Sequence, residues 1–180
     1  MGNKIIKNDE LLDLVNEKDV VIGTVLKSEA HKDPTKIHRQ VDLVIFNDKG
    51  EVLLQQRSLN KRPNPGKWAN SASGHVKAGE SPDKAVIRET FEELGIKVKP
   101  VFFKKIFNEK RMESRFIWIY YVIAEGNPKL KIDNNELKGF RWIDPDILHV
   151  FAKENYWDIG GLSHKLIFEI KGKLDSGQKK

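Results

Sequence analysis

The residues from Gly74 to Gly95 constrain this chain more than any others. Gly74-His75-Val76-Lys77-Ala78-Gly79-Glu80 is a glycine-bearing loop, and Ser81-Pro82-Asp83 opens a helix behind it. Ser81 suits the N-cap, Pro82 the first helical position, and Asp83 the positive end of the helix dipole. Gly95 is a natural stop, so the spacing predicts a helix over residues 81–94. On it, Glu89, Glu92 and Glu93 are related by three and four residues and share one face, with Arg88 beside them. Val86, Ile87, Thr90, Phe91 and Leu94 are expected on the opposite side, packed on a sheet.

Like charges at this spacing cost a helix about 0.2–0.5 kcal/mol per pair. No lysine occurs between Lys84 and Lys97 to relieve them. A hard divalent cation does relieve such repulsion, and Mg²⁺ prefers oxygen ligands while retaining places for water and phosphate. An acidic helix face beside a glycine-bearing loop offers carboxylates for a metal and backbone for a phosphate. An ordinary solvated acidic helix fits the spacing equally well.

Strands are expected at Val20 to Leu26, Val41 to Phe46, Glu51 to Arg57, Val98 to Phe107, Arg115 to Ala124 and Phe140 to Ile143. The turn Asn47-Asp48-Lys49-Gly50 makes the second and third a hairpin. Asn108 to Met112 reads as a polar connection. Helices are expected from Asp144-Pro145 to about Lys153, and over Leu162 to Leu174. Interspersed strands and helices with a hairpin give an α/β class with a mixed sheet. No linker or repeat divides the 180 residues, so a single domain is expected over 1–180, with 175–180 as a flexible basic tail.

The absence of cysteine excludes disulfides, thiolate nucleophiles and cysteine-ligated zinc. No apolar run spans a bilayer, and no signal peptide precedes the first strand, which is compatible with a cytoplasmic protein. A net charge of +6 favours anionic ligands. Without an arginine-rich stripe, helix-turn-helix pattern or zinc finger, a nucleic-acid partner is not expected.

Residues 74–96 resemble the Nudix box: Gly74, Glu80, Arg88-Glu89, Glu92-Glu93, Gly95 and Ile96 stand at its fixed offsets. Thr90 departs, since the pattern prefers a larger aliphatic residue there. The resemblance extends more weakly over roughly residues 20–150. It implies an α/β/α sandwich and Mg²⁺ (or Mn²⁺) held by Glu89, Glu92 and Glu93, with the carbonyl of Ser73 adding an oxygen. It further implies that Arg88 orients the acids, that Gly74 and Glu80 support the site, and that Glu136 assists from a later loop. The expected activity is hydrolysis of a diphosphate linkage in a nucleoside diphosphate derivative or similar organic diphosphate. Glu89 is the favoured base, with Glu136 second. Arg57, Lys61, Lys67, His75 and Lys77 are candidates to hold the substrate.

The chain is also similar in places to isopentenyl-diphosphate isomerase, which shares the fold. Trp68-Ala69-Asn70-Ser71-Ala72-Ser73-Gly74-His75 resembles its active-site segment. His31, His38 and His75 match metal ligands, and Glu136 is taken as a fourth. For His31 and His38, ordinary loop histidine is the favoured reading. Ser73 stands where the isomerase carries a cysteine, and Asn134 where it carries another acid. Isomerisation is therefore ranked below hydrolysis. A non-catalytic nucleotide- or RNA-binding module ranks lower still, because all four box glutamates and the arginine are present.

Overall fold

The computed structural model describes residues 9–60, 65–154 and 164–177. Nine strands and four helices follow in the order β1 (Leu11–Val15), β2 (Val21–Leu26), α1 (Lys27–Ala30), β3 (His38–Phe46), β4 (Val52–Arg57), β5 (Trp68–Ala69), β6 (Ala72–His75), α2 (Pro82–Leu94), β7 (Val101–Lys110), β8 (Glu113–Ile123), β9 (Leu137–Ile143), α3 (Leu148–Glu154) and α4 (His164–Asp175). Strands β1 and β2 form a small antiparallel sheet of their own, and the other seven form a mixed sheet.

Strand β3 is the centre. It runs parallel to β8 from His38↔Arg115 to Phe46↔Ile123 and antiparallel to β6 from Gln40↔His75 to Leu43↔Ala72. Side chains alternate along a strand, so β3 serves two layers. Leu43 and Ile45 join Val86 and Leu94 of α2 in one core cluster. Val44 and Phe46 join Leu148 and Phe151 of α3 and Leu166, Ile167 and Ile170 of α4 in another. Each such buried side chain contributes roughly 1.5–3 kcal/mol. The result is a sheet between helical layers, the expected α/β/α sandwich.

The predicted hairpin needs correction. Strands β3 and β4 share the single register pair Phe46↔Val52 beyond their turn. From there β4 pairs with β9 and β5, and β3 pairs with β6. The strands diverge because each finds a longer partner elsewhere, and the gap between them is where the site opens. Strand β1 and helix α1 were not foreseen. Strand β8 starts at Glu113, inside the stretch that extends the β7–β8 antiparallel ladder to Lys110↔Glu113.

Helix α2 forms where predicted. Ser81 Oγ accepts from the Lys84 N–H, and Gly95 closes the end at φ 70°. Its buried residues are Ala85, Val86, Thr90 and Leu94, whereas Ile87 and Phe91 are 42% and 53% exposed. The sheet-facing row is therefore 86–90–94, one step round from the broader face expected. Thr90 is accommodated there because its hydroxyl donates to the Val86 carbonyl at 2.6 Å.

Candidate functional site

The even-numbered face of β3 changes character along its length. Val44 and Phe46 pack beneath α3 and α4, whereas His38, Gln40 and Asp42 are buried polar residues. Strand β8 repeats the pattern in register, with Glu113 and Arg115 ahead of Ile117 and Ile119. At this end of the sheet lies a cavity of about 690 Å³.

One end of the cavity is built on histidine. His38 comes from β3, His75 from β6, His31 from the segment after α1, and Glu113 from β8. Their ligand atoms all lie within 4.8 Å of one another. His31 Nε2 is 3.0 Å from His75 Nε2, and Glu113 Oε1 is 3.3 Å from Nε2 of both His31 and His38. His38 is fully buried, and its Nε2 has no hydrogen-bond partner. Burial, reinforced by the charge of Lys27, holds His75 well below the usual imidazole range, and burial also lowers His31. Burial pushes Glu113 the other way but is outweighed by the nearby His38 ring and the Arg115 charge, leaving it at about 2. Neutral imidazoles and an ionised carboxylate are the protonation states a metal requires. An orphaned buried ring nitrogen facing such a set fits a divalent ion, and N/O donors suit the first-row transition metals.

Helix α2 supplies a second, carboxylate-bearing part of the cavity lining. Arg88 places all five donors: Nε and Nη2 on Glu80 at 2.9 and 2.8 Å, Nη1 on Glu89 and Glu92 at 2.6 and 3.1 Å, and Nη2 on the His75 carbonyl at 3.0 Å. Glu93 reaches the gap between the diverged strands, where the Ser73 N–H and the Gln55 amide donate to it at 3.2 and 3.3 Å. Burial, then the charge of Glu89, pushes Glu93 up to about 8. Burial pushes Glu89 up to about 6 against the pull of Arg88. Gly74 is required here, since a Cβ on it falls 1.9 Å from Glu89 Cδ.

The residues singled out from sequence divide clearly. Ser73, Gly74, His75, Glu89, Glu92, Glu93, Glu136, Arg57 and Lys67 all line the cavity. Glu80 and Arg88 stand behind it as the clasp, and Lys77 is not among the lining residues. Lys61 lies outside the described residues, as do Lys179 and Lys180 of the tail. Among the described residues, the group that converges to metal-holding distance is the histidine cluster, and Glu89, Glu92 and Glu93 are not in it. The Arg88 Nη1 stands between Glu89 and Glu92 instead. The fourth member of the histidine cluster is Glu113 and not Glu136, which instead adds to the charge felt by Glu93. Sequence reasoning missed Glu113, which fell between the connection ending at Met112 and the strand expected from Arg115. Its alternation with Arg115 and Ile117, at successive two-residue steps, was the available signal.

The NUDIX domain model matches residues 36–164. The chain belongs to the Nudix family. An isopentenyl-diphosphate Delta-isomerase of Shigella boydii is 34% identical over 146 residues, covering 76% of this chain and 78% of that one. Another, of Streptomyces coelicolor, is 46% identical over 86 residues, and that match spans 48% of this chain and only 44% of the relative's length. DR0079 of Deinococcus radiodurans has the same fold, with a TM-score of 0.74 at 24% identity, over 89% of this chain and 98% of that one. These relatives correct the ranking drawn from the box. The named curated relatives are isomerases, so they support the isomerase reading over hydrolysis. The box glutamates misled because they mark the family and do not report which reaction a member performs. No helix among the described residues is long and apolar enough to cross a membrane.

Proposed function

We propose that this chain is a divalent-metal-dependent enzyme of the isopentenyl-diphosphate isomerase type, moving a proton between carbons of a small organic diphosphate. The observation that carries the reading is the convergence of His31, His38, His75 and Glu113 beside a cavity that is also lined by Glu89 and Glu93, two carboxyls that titrate apart. Three imidazoles and a carboxylate suit Mn²⁺ or another first-row ion better than Mg²⁺, which favours oxygen. A bound ion supplies positive charge against which a diphosphate can be held. Arg57 and Lys67 line the cavity and supply further positive charge.

The reaction needs one group that gives a proton and one that takes it, and separated carboxyl affinities provide such a pair. At neutral pH Glu93 is protonated and Glu89 largely ionised. Glu93 delivers its proton to an alkene carbon, Glu89 removes one from the carbon two positions along, and the double bond moves between them. One proton enters and one leaves, so nothing else is consumed. Ser73 cannot replace a thiol as the acid, but its backbone N–H holds Glu93 in place.

The test is incubation with isopentenyl diphosphate and Mn²⁺ in D₂O, followed by NMR. The expected result is an allylic diphosphate with deuterium on carbon. Release of phosphate or pyrophosphate with no carbon-bound deuterium overturns the proposal. A subtler expectation concerns Gly74→Ala. The new methyl meets only the far end of the Glu89 side chain, so the fold survives while the carboxylate is displaced. Misplacement on this scale costs about 10²-fold in turnover, with a melting temperature close to that of the unaltered protein. Unchanged turnover in that variant removes Glu89 from the reaction.

A further inference from the structure

Glu113 and Arg115 are two residues apart on β8 and face the same side. Arg115 Nη1 lies 2.5 Å from Glu113 Oε1, and that same oxygen is 3.3 Å from Nε2 of His31 and of His38. One carboxylate oxygen thus faces two imidazoles and a guanidinium. Arg115 is buried, with 9% exposure, and lines the cavity. An ion held by the histidines would take this oxygen as a ligand and would set its double charge against the guanidinium, at a depth where screening is weak. A diphosphate reverses the sign of that encounter. Its oxygens are attracted by the ion, and a guanidinium matches phosphate oxygens with a planar fork.

We propose that Arg115 couples metal and diphosphate binding at the histidine end of the cavity, weakening the hold of the bare ion and turning to the diphosphate when both are present. This rests on the reading that the histidine cluster holds a divalent ion. Arg115 is a positioning residue here, and its effect is a linkage between two ligands. Lys27 and Lys110 also line the cavity. Lys27 pairs with Glu10 at 2.7 Å, whereas Arg115 shares an oxygen with the ligating imidazoles.

The experiment measures Mn²⁺ binding by calorimetry with and without inorganic pyrophosphate, corrected for their association in solution, in the unaltered protein, Arg115→Gln and Arg115→Lys. The unaltered protein is expected to bind Mn²⁺ at least tenfold more tightly when pyrophosphate is present. Arg115→Gln is expected to bind bare Mn²⁺ about tenfold more tightly and to lose at least tenfold of the coupling. Arg115→Lys keeps the charge without the fork and should retain part of it, which also covers the case in which the glutamine variant does not fold. Coupling in Arg115→Gln equal to that of the unaltered protein overturns the inference, as does bare Mn²⁺ affinity that fails to rise. Mn²⁺ binding without coupling in the unaltered protein defeats the role of Arg115 alone. No Mn²⁺ binding at all defeats the metal site and this inference together.

Discussion

Glu93→Gln is expected to lower turnover of an organic diphosphate by about 10²–10⁴-fold, the usual range for removing a general acid or base. The substitution preserves shape and the capacity to accept from the Ser73 N–H, so the fold remains. The pH dependence gives a second readout. Turnover in the unaltered protein should rise through about pH 6 as Glu89 ionises and fall through about pH 8 as Glu93 loses its proton. Stability moves with the same proton. Below about pH 4.5 the Glu93 carboxyl is neutral in both folded and unfolded chains. As pH climbs towards 8 the unfolded chain releases the proton while the folded chain keeps it, so the metal-free protein loses stability across that window. The glutamine variant has no proton to lose and should be the more stable of the two above pH 8. A variant that turns over normally, or whose melting temperature tracks that of the unaltered protein between pH 5 and 9, removes Glu93 from this role.

The contrast between the two parts of the cavity explains what could be read from sequence. Helix α2 was legible because its signals are local: cap, proline, terminal glycine and acids at helical spacing all fall between Ser81 and Gly95. The mixed sheet followed from short-range patterns of the same kind, whereas the α/β/α layering came from the resemblance to the Nudix box. The β3–β4 hairpin was misjudged because turn chemistry fixes where two strands reverse and says nothing of how far they stay paired. Ile87 and Phe91 were misjudged because helical periodicity gives a direction for the apolar face and not its width. The histidine cluster is assembled from four separate segments, and only resemblance suggested three of its members. Its carboxylate was sought in the later loop, at Glu136, when the β7–β8 ladder had already delivered Glu113. Hydrolysis was ranked first for the same reason: the local motif is shared across the family, and the group that separates the reactions is not local.

His38→Ala is expected to abolish binding of a divalent ion at the histidine end, with affinity falling at least 100-fold. His38 is the buried member of the set, fixed on β3 between β6 and β8, with a ring nitrogen that meets nothing else of hydrogen-bonding geometry. Removing it leaves His31 and His75 without the third imidazole that aligns them on Glu113. An ion that binds only the folded protein stabilises it by about 2.7 kcal/mol at one hundred times its dissociation constant. In a chain of this size that is a rise of roughly 5–10 °C in melting temperature. Mn²⁺ should therefore raise the melting temperature of the unaltered protein and leave that of His38→Ala unmoved. Lys77→Ala serves as the control, because Lys77 does not line the cavity. Glu92→Gln gives the opposing result its meaning. If the thermal shift survives in His38→Ala and disappears in Glu92→Gln, the ion sits on the acidic face of α2 and the histidines are not its ligands. If it disappears in His38→Ala and survives in Glu92→Gln, Arg88 is left as the proper counterion of the box carboxylates. The cavity then has an ion held by the histidines and a separate proton-handling pair on α2.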